Sequence, residues 1–499
     1  MKLVGPDAVA RAEAEASPSH GKASPFPFSL VEFSPFDLRF YLRLVAGLLA
    51  WKVLSTDYRA LAALVHGVDI IPYQSALSRR LVHGYQAYLL GTEWKIVGIQ
   101  IAAAAFLVLA AVSIRRWALT AGLLATLLVE WSAFQYRGYI WSFEIPLTVL
   151  AIMALWPVRW AAIFEGGRRP TRAAGDLGLA VALYFGLAYA FCGLSKVIAR
   201  PSWFENFSVD LFYFGRNISK GPVPAWLEPV SSRLAALFAD YPGVGEFSRL
   251  AVLGVELLWF TALFWRPTRR TLPYAMLAAH IVFFLQVGFT FIPFALSAVA
   301  VLVPWRVVVP GRAGRGPDVT PASSPLGRLT FAACLSAVAL TVLYPVWCGR
   351  TVYPFSNFNV FGWSNRMVRD PLTFHHLAYT DPATGEVRRI PMQHGGFLDY
   401  TQWHVYAHLG QYYASPDPAV RAQALRVIHQ FVAALRPFHS NAFLLGPLTM
   451  PDHVVCAADP VDPELFSRLR VLRYDYHVAE RGLTPVITDL GPLPDVGTK

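Results

Sequence analysis

Residues 97–134 read VGIQIAAAAFLVLAAVSI, then the arginine pair 115–116, then WALTAGLLATLLVEWSAF. Each apolar run is about 18 residues long, which is enough for a helix to cross the hydrocarbon core of a bilayer. The arginine pair between the runs is typical of a short loop at one membrane surface. This stretch therefore predicts two successive membrane-spanning helices.

The composition of the whole chain supports the same fold class. Of its 499 residues, 55% are hydrophobic and only 15% are charged, against about 25% charged in an average soluble domain. Mean hydropathy is +0.41, and the 15 tryptophans suit the aromatic belts at membrane interfaces. We therefore expect an integral membrane protein.

The net charge of +11 does not indicate a nucleic-acid partner. The basic residues fall mainly in short loops between apolar runs, where the positive-inside rule explains them. No nucleic-acid-binding motif accompanies them. The four cysteines form no CxxC pair, which argues against a zinc ribbon or a thioredoxin-like centre. The polar start of the chain predicts no cleaved signal peptide.

Apolar runs long enough to span a bilayer occur nine times, so the sequence predicts an all-α membrane bundle of about nine transmembrane helices, residues 34–347. The short uncharged link between the seventh and eighth runs leaves a re-entrant pair as an alternative. The runs are 36–54, 97–114, 117–134, 139–157, 177–196, 249–265, 271–288, 289–305 and 327–347.

Arginines are concentrated in every second loop of this bundle. They lie in the loops at 115–116, 159–172, 266–270 and 306–328, which all fall on one face. The positive-inside rule makes that face cytoplasmic. We therefore expect a bacterial-type cytoplasmic (inner) membrane, with residues 1–33 as a disordered cytoplasmic tail.

The polar segment 348–499 predicts a separate, small α+β domain outside the membrane. Residues 376–391 are typical of a hairpin with its turn at 381–385, and 418–435 of an amphipathic helix. Residues 471–478 predict another strand.

Cysteines on the outer side can pair. Cys348 and Cys456 both fall in the outer domain, where an oxidising compartment permits a disulfide, with two unpaired thiols as the alternative. We expect Cys192 and Cys334 to stay reduced within the membrane.

Ionisable residues inside spanning segments indicate function by default. A lysine that snorkels to the interface, acids paired with arginines, and a satisfied core histidine are the structural alternatives. The shared depth of these residues favours a ligand pocket open to the outer leaflet. The residues are Glu130, Glu144, Lys196, Glu256 and His280, with Gln286 two turns beyond the histidine.

Several short motifs resemble one family. The sequence Gly193-Leu-Ser-Lys196, with Trp203 a short way on, resembles the lysine region of the vitamin K-dependent gamma-carboxylases and the wider horizontally transferred transmembrane domain (HTTM) family. The segment from His280 to Pro293 resembles the histidine helix of that family. Residues 34–39 resemble its start, and 353–361 its stretch after the last helix. The similarity covers most of 34–361.

The chain also departs from the animal carboxylases. It has Trp141-Ser-Phe-Glu144 where those enzymes have Trp-Asn-Asn-His, which puts a glutamate at the position of a functional histidine. The segment from Lys196 to Trp203 is longer than theirs, and the outer domain is much shorter.

The resemblance implies an enzyme that binds reduced vitamin K or another quinone. The quinone would lose its phenolic proton to a neutral Lys196 and react with oxygen, and the resulting base would act on the γ carbon of a glutamate, to which CO2 adds. An exported peptide or protein would be the carboxylation substrate. The resemblance implies Lys196 and His280 as catalytic residues and Glu144, Trp141, Gln286 and Trp203 as binding residues.

Two other functions stay open on the sequence. The bundle could bind a lipid or quinone without catalysis, or assist maturation of an exported peptide. In the outer domain, His404 and His408 have the i, i+4 spacing of a zinc pair. No glutamate follows His404 as in HExxH, so we expect no metal and an aromatic helix packed on the sheet.

Overall fold

The computed structural model describes residues 31–59, 92–137, 141–198, 241–287, 292–309, 325–348, 372–389, 399–435, 468–476 and 486–495, apart from single positions in these ranges, and a few between 229 and 237. This part of the chain is mostly helical, with one small antiparallel sheet near the C-terminus.

The helices of the first part follow the predicted apolar runs. Every one of the nine runs lies on a helix, and the sixth run ends in a 3-10 turn, Trp259–Leu263. Two further short helices lie in loops. The helices are α1 (Pro35–Ser55), α2 (Glu93–Ser113), α3 (Arg116–Arg137), α4 (Trp141–Leu155), α5 (Trp160–Phe164), α6 (Arg172–Ile198), α7 (Pro242–Leu258), α8 (Arg266–Val287), α9 (Ile292–Leu302), α10 (Trp305–Val308) and α11 (Pro325–Cys348).

Two of the described helices are long and apolar enough to cross a bilayer. They are Trp94–Ser113, with a mean hydropathy of 2.4, and Arg172–Leu194, with 1.9. Ile145–Leu155 and Phe331–Leu340 are apolar but shorter. By length and composition, the described residues therefore do not support nine crossings.

The start of α1 is defined by a capping box. The hydroxyl of Ser34 accepts a hydrogen bond from the backbone N–H of Asp37 at 3.2 Å, and the Asp37 carboxylate accepts one from the Ser34 N–H at 2.9 Å. Pro35 occupies the first helical turn, where its missing N–H has no cost. These contacts fix where the bundle's first long helix begins.

The predicted tail needs one correction at its end. The N–H of Val31 donates to the carbonyl of Leu263 at 2.9 Å, and Phe33 is 4% exposed. The ring of Phe33 occupies the space above Gly178, where a Cβ would lie 2.3 Å from it. Residues 31–33 therefore belong to the bundle. Residues 1–30 lie outside the described part.

The core of the bundle is built around α1. Leu42, Val45 and Leu49 are fully buried, and α1 contacts α2, α4, α6 and α9. Helices α2 and α3 form an antiparallel hairpin through Ile114, whose φ of 54° ends α2 in a left-handed conformation. At Gly122 a Cβ would lie 3.0 Å from Leu107, so the absence of a side chain permits this close packing.

The arginine-bearing loops lie together at one end of the bundle, as predicted. Arg116 donates to the carbonyls of Ala154 at 2.6 Å and Trp156 at 2.7 Å. Arg39 donates to the carbonyl of Gly166 at 2.8 Å, and Arg168 to that of Arg306 at 2.9 Å. Trp160 donates to the carbonyl of Ile114 at 2.5 Å, and the arginines at 266–270 line one cavity with Arg306. The described parts of the four loops therefore form one basic surface.

The C-terminal part confirms the α+β prediction. Strands β1 (Leu372–Thr380), β2 (Val387–Arg389), β3 (Leu469–Tyr476) and β4 (Val486–Pro492) form an antiparallel sheet in the order β2-β1-β3-β4. The predicted hairpin is present, and its turn closes through a bond from the Gly385 N–H to the Asp381 carbonyl at 2.8 Å. Helix α12 (Asp399–Ala414) contacts β1 and α3, and α13 (Pro418–Leu435) packs on α12.

Candidate functional site

Lys196 and Glu256 form an ion pair between α6 and α7. The ammonium of Lys196 donates to the carboxylate of Glu256, and the lysine side chain is 1% exposed. A fully buried lysine is rare in proteins unless it is paired. Among the predicted residues, these two side chains are brought into direct contact.

Gly193 explains why the two helices approach so closely at this point. A Cβ at Gly193 would lie 2.9 Å from Cδ2 of Leu257 and 3.3 Å from Cβ of Glu256. Gly193 precedes Lys196 by three residues, so both lie on one face of α6. The spacing G-x-x-K therefore has a packing reason, because the glycine admits α7 and the lysine meets its carboxylate.

A second polar contact joins His280 of α8 to Tyr189 of α6. The Tyr189 hydroxyl and Nε2 of His280 lie 3.4 Å apart. Tyr189 also stacks on Trp259, with ring centroids 6.0 Å apart and an interplanar angle of 2°. Tyr189 precedes Lys196 by two helical turns, or about 10 Å along α6. His280 therefore contacts the face of α6 that also carries Lys196, two turns closer to the start of that helix.

Two buried polar atoms next to these contacts have no hydrogen-bond partner within the described part of the chain. They are Oε2 of Glu256, an acceptor, and Nε1 of Trp259, a donor. Buried polar atoms are nearly always satisfied in native proteins, by protein, water or a ligand. The site thus offers hydrogen-bonding capacity beside the ion pair.

A separate polar cluster lies where α1, α2 and α3 meet. The Tyr58 hydroxyl donates to the carboxylate of Glu130, and both residues are fully buried. The side-chain amide of Gln100 donates to the carbonyls of Val53 at 2.7 Å and Thr56 at 2.8 Å, which caps the end of α1. Glu130 therefore has a structural partner in its own cluster.

Several predicted binding residues are only partly described. Trp141 and Glu144 lie in the first turns of α4, and Gln286 lies in the last turn of α8, but their side chains are outside the described part. Trp203 lies outside it altogether. Their assignment to the site stays a prediction.

The residues of the cysteine and metal predictions are also only partly described. Within the described part of the chain, neither Cys192 nor Cys334 is in a disulfide. Cys348 ends α11 with its side chain outside the described part, and Cys456 lies outside it, so their disulfide stays a prediction. Across the described residues there is no group of three or more His, Cys, Asp or Glu that could hold a metal. His408 lies on α12, and the side chain of His404 is outside the described part.

Sequence reasoning did not single out four buried residues of the bundle that are polar or aromatic. Lys52 is fully buried in the last turn of α1, and the rule that singled out Lys196 applies equally to it. Gln100, a polar residue inside an apolar run, carried the same signal. Tyr189 and Trp259 gave none, because aromatic residues in apolar helices are usually core residues.

The arrangement can hold a proton between a nitrogen and an oxygen base in a dry environment. The nitrogen is the ammonium of Lys196 and the oxygen belongs to the carboxylate of Glu256, which are in direct contact. Comparisons with protein-family models, with curated proteins and with solved structures give no match for this chain.

Proposed function

We propose that this chain is a multi-pass membrane protein of a bacterial-type cytoplasmic membrane, with its nine-helix bundle in the bilayer. Helix α2 carries this proposal. Its apolar span has a mean hydropathy of 2.4, yet only 33% of it is buried inside the protein. A core helix of a soluble protein with that hydropathy would be largely buried, because exposing it to water costs about 25 cal/mol per Å² of apolar surface.

Other helices also expose large apolar side chains. Soluble monomers rarely expose contiguous apolar surface of this extent, whereas a lipid-facing bundle needs it. This exposure supports membrane contact for helices that are too short or too polar for the span criterion. Exposed examples are Leu124 on α3, Leu155 on α4, Phe247 and Leu250 on α7, Tyr274 and Ile281 on α8, and Leu340 on α11.

The arginine-rich end of the bundle supports the orientation. With the positive-inside rule, this end is cytoplasmic and the sheet domain of residues 348–499 is outside. Helix α12 of that domain contacts α3, whose N-terminus begins at the basic end with Arg116.

For its activity we propose an enzyme that oxidises a reduced quinone, with the pair of Lys196 and Glu256 as the proton acceptor. The single observation behind this is the buried ion pair with an unsatisfied Glu256 oxygen beside it. A reduced quinone of the vitamin K type supplies, when bound, an acidic phenol and the two electrons that reduce oxygen. The Oε2 atom of Glu256 can accept a hydrogen bond from one hydroxyl of the reduced quinone, and Nε1 of Trp259 can donate one to its other oxygen.

The residues of this chain have distinct roles in the proposal. Lys196 accepts a phenolic proton when it is neutral, which requires that Glu256 hold the proton of the resting pair or release it outward. His280, positioned by Tyr189, donates or accepts at a quinone oxygen. Burial excludes water, so that solvent does not compete for the proton that Lys196 and Glu256 exchange with the quinone. Coupling to carboxylation of glutamate in an exported peptide is the further step that the HTTM resemblance implies.

The test is turnover by the purified full-length protein in detergent. We expect oxygen consumption that depends on added reduced vitamin K, measured with an oxygen electrode and by chromatography of the quinone product. Mass spectrometry of the lipid that co-purifies should identify a quinone. Oxygen uptake no faster than in protein-free micelles would refute the enzymatic proposal.

The direct contact between Lys196 and Glu256 favours a second candidate function. In this alternative, the protein binds a lipid or quinone without catalysis, or assists the maturation of an exported peptide. A permanently charged pair stabilises helix packing but accepts no proton. In that case the protein binds quinone stoichiometrically without turnover, and the same experiment distinguishes the two functions.

A further inference from the structure

A cavity of about 670 Å³ opens at the basic end of the bundle, and Lys196 is not part of its lining. It lies between the start of α8, the end of α9 and the segment that precedes α1. Its charged lining consists of four arginines and two carboxylates, which leaves a net charge of about +2 among the described residues. These residues are Arg266, Arg269, Arg270, Arg306, Glu32 and Asp37.

Both carboxylates of the cavity lie within ion-pair distance of Arg306. Arg306 pairs with Asp37 at 2.9 Å and with Glu32 at 3.9 Å. Arg269 has a structural role, because its guanidinium donates to the carbonyls of Ala262 at 2.9 Å and Leu263 at 3.2 Å. Arg266 and Arg270 also line the cavity, one helical turn apart at the start of α8.

An apolar stripe continues from these arginines along α8. Tyr274 is 76% exposed, Leu277 41% and Ile281 51%. Positions 266, 270, 274, 277 and 281 follow helical spacing of three and four residues, so they share one face of α8. The face thus begins with guanidinium groups at the cavity and continues with exposed apolar side chains toward the middle of the bundle.

We propose that this cavity and stripe bind an anionic phospholipid of the cytoplasmic leaflet. The headgroup phosphate would lie against Arg266 and Arg270, where guanidinium groups can bond two phosphate oxygens at once. One acyl chain would follow Tyr274, Leu277 and Ile281. A soluble anion would need only the arginines, and the apolar stripe on the same face therefore favours a lipid. This inference rests on the proposed membrane placement but not on any chemistry at Lys196.

The test is native mass spectrometry of the full-length protein in detergent, titrated with phosphatidylglycerol or phosphatidylcholine. We expect tighter binding of phosphatidylglycerol by the wild type. Because each basic residue near an anionic lipid contributes about fivefold, the double variant Arg266→Gln/Arg270→Gln should lower that affinity by about 25-fold. The variant Arg266→Lys/Arg270→Lys should retain most of it.

The matched control is Arg159→Gln, which removes one charge from an exposed position at the same end but outside the cavity. It should leave affinity within about twofold of the wild type. An equal loss in this control would show general charge attraction and would overturn the proposed site, as would equal affinity for both lipids.

A third comparison separates lipid from free phosphate. Leu277→Gln leaves the arginines unchanged and should weaken phosphatidylglycerol binding several-fold. Inorganic phosphate alone should not compete at millimolar concentration. Full competition by phosphate, with no effect of Leu277→Gln, would assign the arginines to a soluble anion and overturn the lipid proposal. Quinone turnover is measured in parallel, and its loss or retention does not affect this outcome.

Discussion

The ammonium of Lys196 and the carboxylate of Glu256 form a buried ion pair across α6 and α7, from positions 60 residues apart in the chain. Each charge is removed from bulk water, so the pair is stable only while both partners are present. The pair therefore links the stability of the bundle to the chemistry that we propose for it.

The first prediction separates charge from basicity at position 196. Lys196→Arg should keep the ion pair and the fold but abolish quinone oxidation, because a guanidinium does not lose its proton in proteins. Lys196→Ala should also be inactive. The measurement is reduced-quinone-dependent oxygen uptake, with Val197→Ala as the control on the exposed face of the same helix turn. Wild-type turnover in the arginine variant would remove Lys196 from the mechanism and favour the binding protein.

The second prediction concerns the free energy of unfolding. Glu256→Leu alone leaves the Lys196 charge buried without its partner and should cost about 3–5 kcal/mol. Adding Lys196→Met should recover most of this loss, since a buried pair is often replaced by apolar residues of similar volume at little cost. Thermal unfolding of the two variants in detergent checks this. Equal destabilisation by the single and double changes would argue against coupling.

The third prediction tests the close approach at Gly193. Gly193→Ala places a Cβ 2.9 Å from the Leu257 side chain and 3.3 Å from Cβ of Glu256, so the Leu257 side chain or α7 must shift. We expect a loss of about 1–3 kcal/mol from overpacking. Gly175→Ala, on the same helix, has no atom within 4 Å of the new Cβ. That control should be neutral or stabilising by up to about 1 kcal/mol, and similar losses in both variants would contradict the packing explanation.

The fourth prediction concerns orientation. In a background with the four natural cysteines changed to serine, Arg169→Cys should react with a membrane-impermeant thiol reagent only after cells are opened. Thr384→Cys, in the exposed turn of the sheet domain, should react in intact spheroplasts. Labelling of both positions from outside would show that the positive-inside assignment of the arginine loops is wrong.

The fifth prediction is a pH dependence of the sheet domain. Burial, aided by the charge of Arg473 and opposed by that of Asp475, lowers the pKa of His375 from 6.5 to about 4. The imidazole stacks on Tyr413 with ring centroids 4.9 Å apart. The folded state thus binds fewer protons than the unfolded state between pH 4 and 6.5. Stability is complete above pH 6.5 and falls as the pH decreases toward 4, by up to about 3 kcal/mol.

Hydrogen exchange of β1 and β3 measures this effect. His375→Phe keeps an aromatic ring but cannot be protonated, and comparison at equal pH cancels the intrinsic exchange rate. Relative to this variant, the wild type should lose protection between pH 7 and pH 5. Parallel behaviour of the two proteins across that range would show that His375 does not control the dependence.

Much of the secondary structure could be predicted from local sequence. Helix α13 has the bounds expected from its amphipathic pattern, Pro418–Leu435, and the turn at 381–385 forms the expected hairpin. The strand expected at 471–478 is found at Leu469–Tyr476, a shift of two residues. Strand ends depend on pairing partners, and β3 pairs with β1 about 100 positions away, which local patterns do not encode.

The sequence by itself determined which segments are helical, where α1 begins and which loops are basic, because hydropathy, capping and charge act between neighbouring residues. Only the tertiary structure decided that Lys196 meets Glu256, that Glu130 meets Tyr58 in another cluster, and that His280 lies beside Tyr189. Each of these contacts depends on how two helices rotate and approach one another. That geometry is set by small residues such as Gly193, where the energy of packing depends on atoms contributed by a distant part of the chain.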